Sequence, residues 1–162
     1  MMKKGITLLL LIVLFISACG NEGKNNYKTL KAFNHSKHNN IPSSFKEGSV
    51  DIEMQLKKVI YDVKTKKIEC LLKNNGEQVE FGTPYEIETF QDGTWRKVPF
   101  KENIGFTAIG IMLNKGKSYP FSASLEKDIL KNKIKPGFYR VIKEIYINKD
   151  KKIKLASIFQ IK

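Results

Sequence analysis

The sequence predicts an all-β chain folded as an antiparallel sandwich of seven to nine strands. Three observations carry that expectation. From Ser49 onward, apolar and polar residues alternate in short runs. Turn signals built from Asn, Asp, Gly and Pro interrupt those runs at intervals of roughly 8 to 15 residues. Strand patterns do not alternate with long helical ones, so a parallel sheet with crossover helices is not expected.

Val50, Ile52, Met54 and Leu56 alternate with Asp51, Glu53 and Gln55, the signature of a half-buried strand. The apolar parity then switches to Val59, Tyr61 and Val63. A slip at Lys57-Lys58 predicts either a bulge or a strand that changes sheets. Residues 67–73 form the next strand. Asn74-Asn75-Gly76 follows, the strongest short hairpin signal in the chain, and 78–82 reads as its returning strand, with Val79 and Phe81 on one face. Pro84 opens the strand 85–90. Asp92-Gly93 predicts a tight turn into 94–98, which Pro99 ends.

Residues 103–113 carry no charge and are mostly apolar. Three readings fit them: a buried strand, a partly exposed loop packed into the core, or an interaction surface. Gly105 and Gly110 weigh against a regular strand throughout and favour a loop leading into a strand at 109–113. Asn114-Lys115-Gly116 is a turn, and 117–124 a strand. Residues 125–132 suit one or two helical turns, with Leu125, Ile129 and Leu130 on one side, broken by Lys135-Pro136-Gly137. The run 138–147 is the longest β-rich segment and is apolar on both faces, which predicts a central strand. After a turn at 148–151, Ile153, Leu155, Ser157, Phe159 and Ile161 alternate in a final strand.

The N-terminal end has a different character. Lys3 and Lys4 precede a stretch from Ile6 to Ile16 that is apolar apart from Thr7, followed by Ser17-Ala18-Cys19 and a polar run. A charged start, a short apolar middle and small residues predict a secretory signal peptide at 1–18. The stretch is shorter than the roughly 18 residues that a spanning helix needs. Ile16-Ser17-Ala18-Cys19 resembles the lipobox of bacterial lipoproteins. That resemblance implies cleavage before Cys19 and a diacylglycerol on its thiol. Two acyl chains, palmitate among them, anchor a protein stably where one does not. The expected location is the outer face of the cytoplasmic membrane. Residues 19–47 then form the lipidated N-terminus and a flexible tether, and 48–162 the domain, of a size that buries an adequate core. His35 and His38 fall in the tether without further ligands nearby. Ile41-Pro42-Ser43-Ser44-Phe45, at its end, holds apolar residues that can pack onto the domain.

The chain carries 29 lysines and arginines against 16 acids, a net +13. Loss of Lys3 and Lys4 with the signal peptide leaves +11. Arg96 and Arg140 are its only arginines. Such a charge is attracted to anionic lipid or to an anionic wall polymer; a plain solubility surface fits as well. Nucleic acid is not an expected partner, because arginine, the better reader of bases, is scarce. Cys70 has no partner once Cys19 is acylated, and its setting between Ile68 and Leu72 predicts a small core residue.

The strand count and size fit a sandwich of immunoglobulin type. Tyr139 is placed for a tyrosine corner. Val141 stands where antibody domains put their second cysteine and Cys70 near the first, so an apolar contact replaces the bridge. Trp95 is on the wrong strand for the antibody tryptophan. Five segments, in order, carry a more specific likeness: Leu72-Lys73-Asn74-Asn75-Gly76, Phe81-Gly82-Thr83-Pro84-Tyr85, Asp92-Gly93-Thr94-Trp95-Arg96, Leu113-Asn114-Lys115-Gly116 and Pro136-Gly137-Phe138-Tyr139. Through them the chain resembles a bacterial Ig-like domain of Gram-positive lipoproteins. Asn114-Lys115-Gly116 departs from the Pro-Gly common there. The resemblance implies a fold and an extracytoplasmic setting, with no catalytic residues.

Nothing in the sequence assembles a reaction. No serine sits in a Gly-x-Ser-x-Gly turn and no Gly-rich phosphate loop follows a strand. Glu86 and Glu88 share a strand face about 7 Å apart. That spacing suits Ca²⁺ or acid–base work, but on a lysine-rich face weak surface pairs are expected. No enzyme activity, cofactor or metal is expected. The expected function is that of a membrane-anchored lipoprotein whose domain is a binding or accessory module for an unidentified protein partner. Its candidate contact loop comprises Phe100, Phe106, Ile109 and Ile111. The alternative is an inhibitor or regulator of an extracytoplasmic protease. A purely electrostatic role is a third.

Overall fold

The computed structural model describes residues 40–162; Cys19, His35, His38, the expected signal peptide and most of the expected tether lie outside them. The described residues hold eleven strands and no helix. They are β1 (Ser44–Glu47), β2 (Val50–Leu56), β3 (Ile60–Tyr61), β4 (Lys67–Asn74), β5 (Val79–Gly82), β6 (Glu86–Gln91), β7 (Thr94–Lys97), β8 (Gly110–Leu113), β9 (Ser118–Ser124), β10 (Gly137–Tyr146) and β11 (Lys152–Ile161). One sheet has the order β1-β2-β4-β9. The other runs β3-β11-β10-β5-β8, with β6 also on β10 and β7 on β6. The expected sandwich is therefore present, with more strands than the seven to nine expected.

The added strands are short. β1 lies in what the sequence assigns to the tether, so the domain begins before residue 48. Its residues pair antiparallel with β2, and Phe45 packs on the core. β3 is the sheet change foreshadowed at Lys57-Lys58: the chain leaves β2 and pairs in parallel with Gln160 and Ile161 of β11.

Asn74-Asn75-Gly76 does not make a hairpin. Both edges of β4 are already taken, by β2 and β9, so the chain crosses to the other sheet to form β5. The buried Asn74 amide group donates to Glu77 O and Leu113 O, and its Oδ1 accepts from Gly76 N–H. Gly76 N–H also reaches Asp51 O, so closely that any side chain at Gly76 would collide with the backbone of residues 49–51. The glycine is needed for that close approach. Asp92-Gly93, by contrast, is the expected tight turn. Both residues have positive φ, 51° and 77°, and join β6 to β7 in a primed two-residue hairpin. The helical segment expected at 125–132 reduces to one turn, closed by Ile129 and Leu130 N–H on Glu126 O. A bridge from Leu130 to Phe100 then pulls the chain away.

The space between the sheets holds two apolar clusters. One gathers Leu56, Ile68, Cys70, Ile87, Val141 and Phe159; the other Ile52, Met54, Leu72, Phe81, Ile145 and Leu155. Tyr139 makes the expected corner: its hydroxyl donates to Lys135 O at 2.8 Å and accepts from Lys135 N–H at 3.2 Å. Cys70 and Val141 are both fully buried in the same cluster. Burial pushes the Cys70 thiol up to about 12, so it remains protonated.

Between the clusters sits Lys143, 1% exposed, on the inward face of β10 with Val141 and Ile145. One side of β10 pairs with β11 along its whole length. The other side is shared: β6 pairs with 139–142 and β5 reaches Tyr146. At the gap the chain turns through Thr83 and Pro84, whose carbonyls have left the ladder. Lys143 Nζ donates to both, at 3.0 and 2.9 Å, and lies 5.0 Å from the Phe121 ring centroid.

Burial lowers the Lys143 pKa from 10.5 to about 8. A neutral amine still offers two N–H groups, one for each carbonyl. Between those two values the unfolded chain binds more protons than the folded one, so Lys143 adds stability as pH rises. Urea unfolding from pH 7 to about 10 should show the native chain gaining on a Lys143→Met variant, with a slope approaching about 1.4 kcal/mol per pH unit at most. A difference that stays flat across this window would contradict the burial of an ionisable amine.

Candidate functional site

The four candidate contact residues divide. Phe100 and Phe106 are half-buried and form an aromatic trio with Tyr85, with ring centroids 5.2–5.6 Å apart and edge-on geometry. Tyr85 follows Pro84, and its hydroxyl accepts from Ser124 N–H in the opposite sheet. Burial raises the Tyr85 pKa. Thr83 Oγ1 donates to Thr107 O at 2.5 Å. The loop between Pro99 and Gly110 is thus fastened to the break in the β5–β6 edge. Phe100 and Phe106 are its half-buried anchors on Tyr85. Ile111 is also inward, half-buried against the second cluster.

Ile109 is the exposed one of the four, at 53%. It leads into β8, which ends the second sheet. Met112, on that strand, is 64% exposed. Register places Met112 opposite Glu80, and Glu80 opposite Tyr146, itself 40% exposed. All three have the parity opposite to the buried Phe81, Leu113 and Ile145, so they form one row on the outer face of the sheet. A side chain at Gly110 would collide with the Glu80 carboxylate, which lies across the strand there. An open groove of about 380 Å³ adjoins this row, with Val79, Glu80, Met112, Tyr146 and Ile147 in its lining. The short edge, the exposed Met112 and Tyr146 side chains and the groove together can receive an apolar side chain of a partner. Met112 and Tyr146 were missed in the sequence, because only strand pairing brings them into one row across Glu80.

Of the two carboxylates expected to form weak surface pairs, one does and one does not. Glu86 is held by Lys154 at 2.8 Å and Lys97 at 3.5 Å, which lowers its pKa. Glu88 instead meets Arg140, which is 1% exposed; Nε donates to Glu88 Oε2 at 2.7 Å, and Nη2 lies in ion-pair contact with the same oxygen. The guanidinium lies 4.5 Å from the centroid of Trp95. Burial lowers the Arg140 pKa and Glu88 opposes that shift. This pair under an indole is part of the sheet's packing and no surface pair. Among the described residues, no three His, Cys, Asp or Glu side chains converge as a metal site.

A family model described as a bacterial Ig-like domain matches residues 48–160, from just before β2 almost to the end of β11. No curated protein matches the chain.

The division of the loop has a direct test. Ile109→Ser should change the unfolding free energy by no more than about 0.5 kcal/mol. Phe106→Ser should cost about 1–3 kcal/mol, since it removes two ring contacts and half-buried apolar area. Equal, negligible effects of both in urea melts would return Phe106 to the exposed surface.

Proposed function

This chain belongs to the bacterial Ig-like domain family, and we propose that it acts as a membrane-anchored extracytoplasmic lipoprotein whose domain is a non-enzymatic binding module. Cys19 carries the diacylglycerol, and residues 20–39 link it to the domain. The module meets a protein partner on the outer face beside β8. The observation that supports this reading is the row Met112–Glu80–Tyr146, joined by exposed Ile109, on a sheet edge. Apolar side chains beside an unpaired edge offer a partner both backbone pairing and side-chain burial.

A second reading, an inhibitor or regulator of an extracytoplasmic protease, draws support from the loop. Phe100 and Phe106 clamp the residues between them against Tyr85. A loop held rigidly at both ends resists cleavage and loses little entropy when it enters an active site.

Two measurements test the proposal. Cys19→Ser should move the chain from the membrane fraction to the soluble one. A photo-crosslinking residue at Met112 on intact cells should capture a discrete protein that the same residue at Ser122, on the far sheet, does not, and Ile109→Glu should abolish the capture. Equal capture from both positions, or an unacylated chain in the cytosol, would overturn the reading. Slowed turnover of a secreted protease by the purified chain would favour the second.

A further inference from the structure

The end of the sandwich away from the Met112 groove holds a cleft of about 510 Å³, between the β6–β7 hairpin and the crossover into β10. Its lining includes three cations, Arg96, Lys133 and Lys135, and no carboxylate; Lys97 borders it too, but its ammonium is on the opposite face of β7 with Glu86. Arg96 has one acid nearby, Asp92 at 3.5 Å, and both side chains are well exposed. Such pairs hold their cations weakly. Lys133 and Lys135 are exposed and make no ion pair among the described residues.

The cleft is also rigid. The Tyr139 corner fixes Lys135 through both its N–H and its carbonyl. Lys131 N–H donates to Pro99 O and ties one wall to the other, while Ile134 is buried beneath. The backbone that carries these cations is already ordered, so an arriving anion has only their side chains to order. The cleft adjoins a second depression of about 300 Å³ through Lys133 and Ile134, which both share. There Lys64, Lys66 and Lys127 outnumber Glu126 and Asp128, with Lys66 only 3.8 Å from Glu126.

We infer that this track binds an extended chain carrying repeated phosphates. Lysine is a compact point charge that suits phosphate oxygens from many directions. A single anion would occupy one or two of these cations and leave the rest unused. A bilayer presents its phosphates in a plane, which does not enter a concave cleft. A flexible polymer does. The site is separate from the proposed protein contact: ten-residue β10 puts roughly 30 Å between Gly137 in this cleft and Tyr146 in the other groove.

The test uses the purified chain and fluorescent short-chain polyphosphate. The native chain should bind and lose affinity steeply with added salt. Lys133→Gln with Lys135→Gln should lower affinity at least about tenfold, while Lys115→Gln with Lys117→Gln, at the opposite end, should lower it less than about twofold. All four side chains are exposed, and unchanged thermal melts verify the fold. Equal losses in the two variants would assign the attraction to net charge and overturn the site. So would orthophosphate competing as well, per phosphate, as the polymer. Binding to anionic phospholipid vesicles with none to polyphosphate, or no binding to either, would overturn it too.

Discussion

The amine of Lys143 against the carbonyls of Thr83 and Pro84 is the contact on which the rest of this domain depends. β10 is the central strand, and one of its sides is shared by two strands that do not meet. A gap in a ladder leaves carbonyls that burial would make costly. A long side chain from β10 itself closes the gap from within the core. The cost is a desolvated ammonium, visible in its lowered pKa. The benefit is structural. Tyr85 follows directly, reaches the opposite sheet, and carries the two phenylalanines that hold the 100–109 loop.

Much of the architecture was legible in the sequence because it rests on period and turn chemistry. The alternation in β2 and β11, the Asp92-Gly93 turn and the Tyr139 corner are local signals, read without knowledge of neighbours. The errors share one cause. Asn74-Asn75-Gly76 has the local chemistry of a hairpin, but whether two strands pair depends on which edges are free, and β4 had none. Lys143 was read as part of an apolar run; its inward parity matters only because a gap waits opposite it. The packing of Phe100 and Phe106 was not legible either, because nothing in the sequence places Tyr85 between them. Met112 and Tyr146 meet only through Glu80.

The two arginines divide the labour of the charged surface. Arg140 is consumed by the sheet, stacked under Trp95 and held by Glu88. Arg96 stays at the rim of the basic cleft with Lys133 and Lys135. A high net charge is by itself a statement about solubility and long-range attraction. A cation-lined concavity without carboxylates, on a frame fixed by the tyrosine corner, is a statement about place. The two recognition surfaces proposed for this domain thus occupy opposite ends of one strand, and both take their rigidity from contacts of β10.

The dependence on Lys143 is measured most directly by amide hydrogen exchange on the native chain and on Lys143→Met at neutral pH. The account predicts faster exchange in residues 82–86 and 100–109 of the variant, with β2 and β4 keeping native protection. Exchange unchanged in both segments, or raised evenly over both sheets, would contradict it.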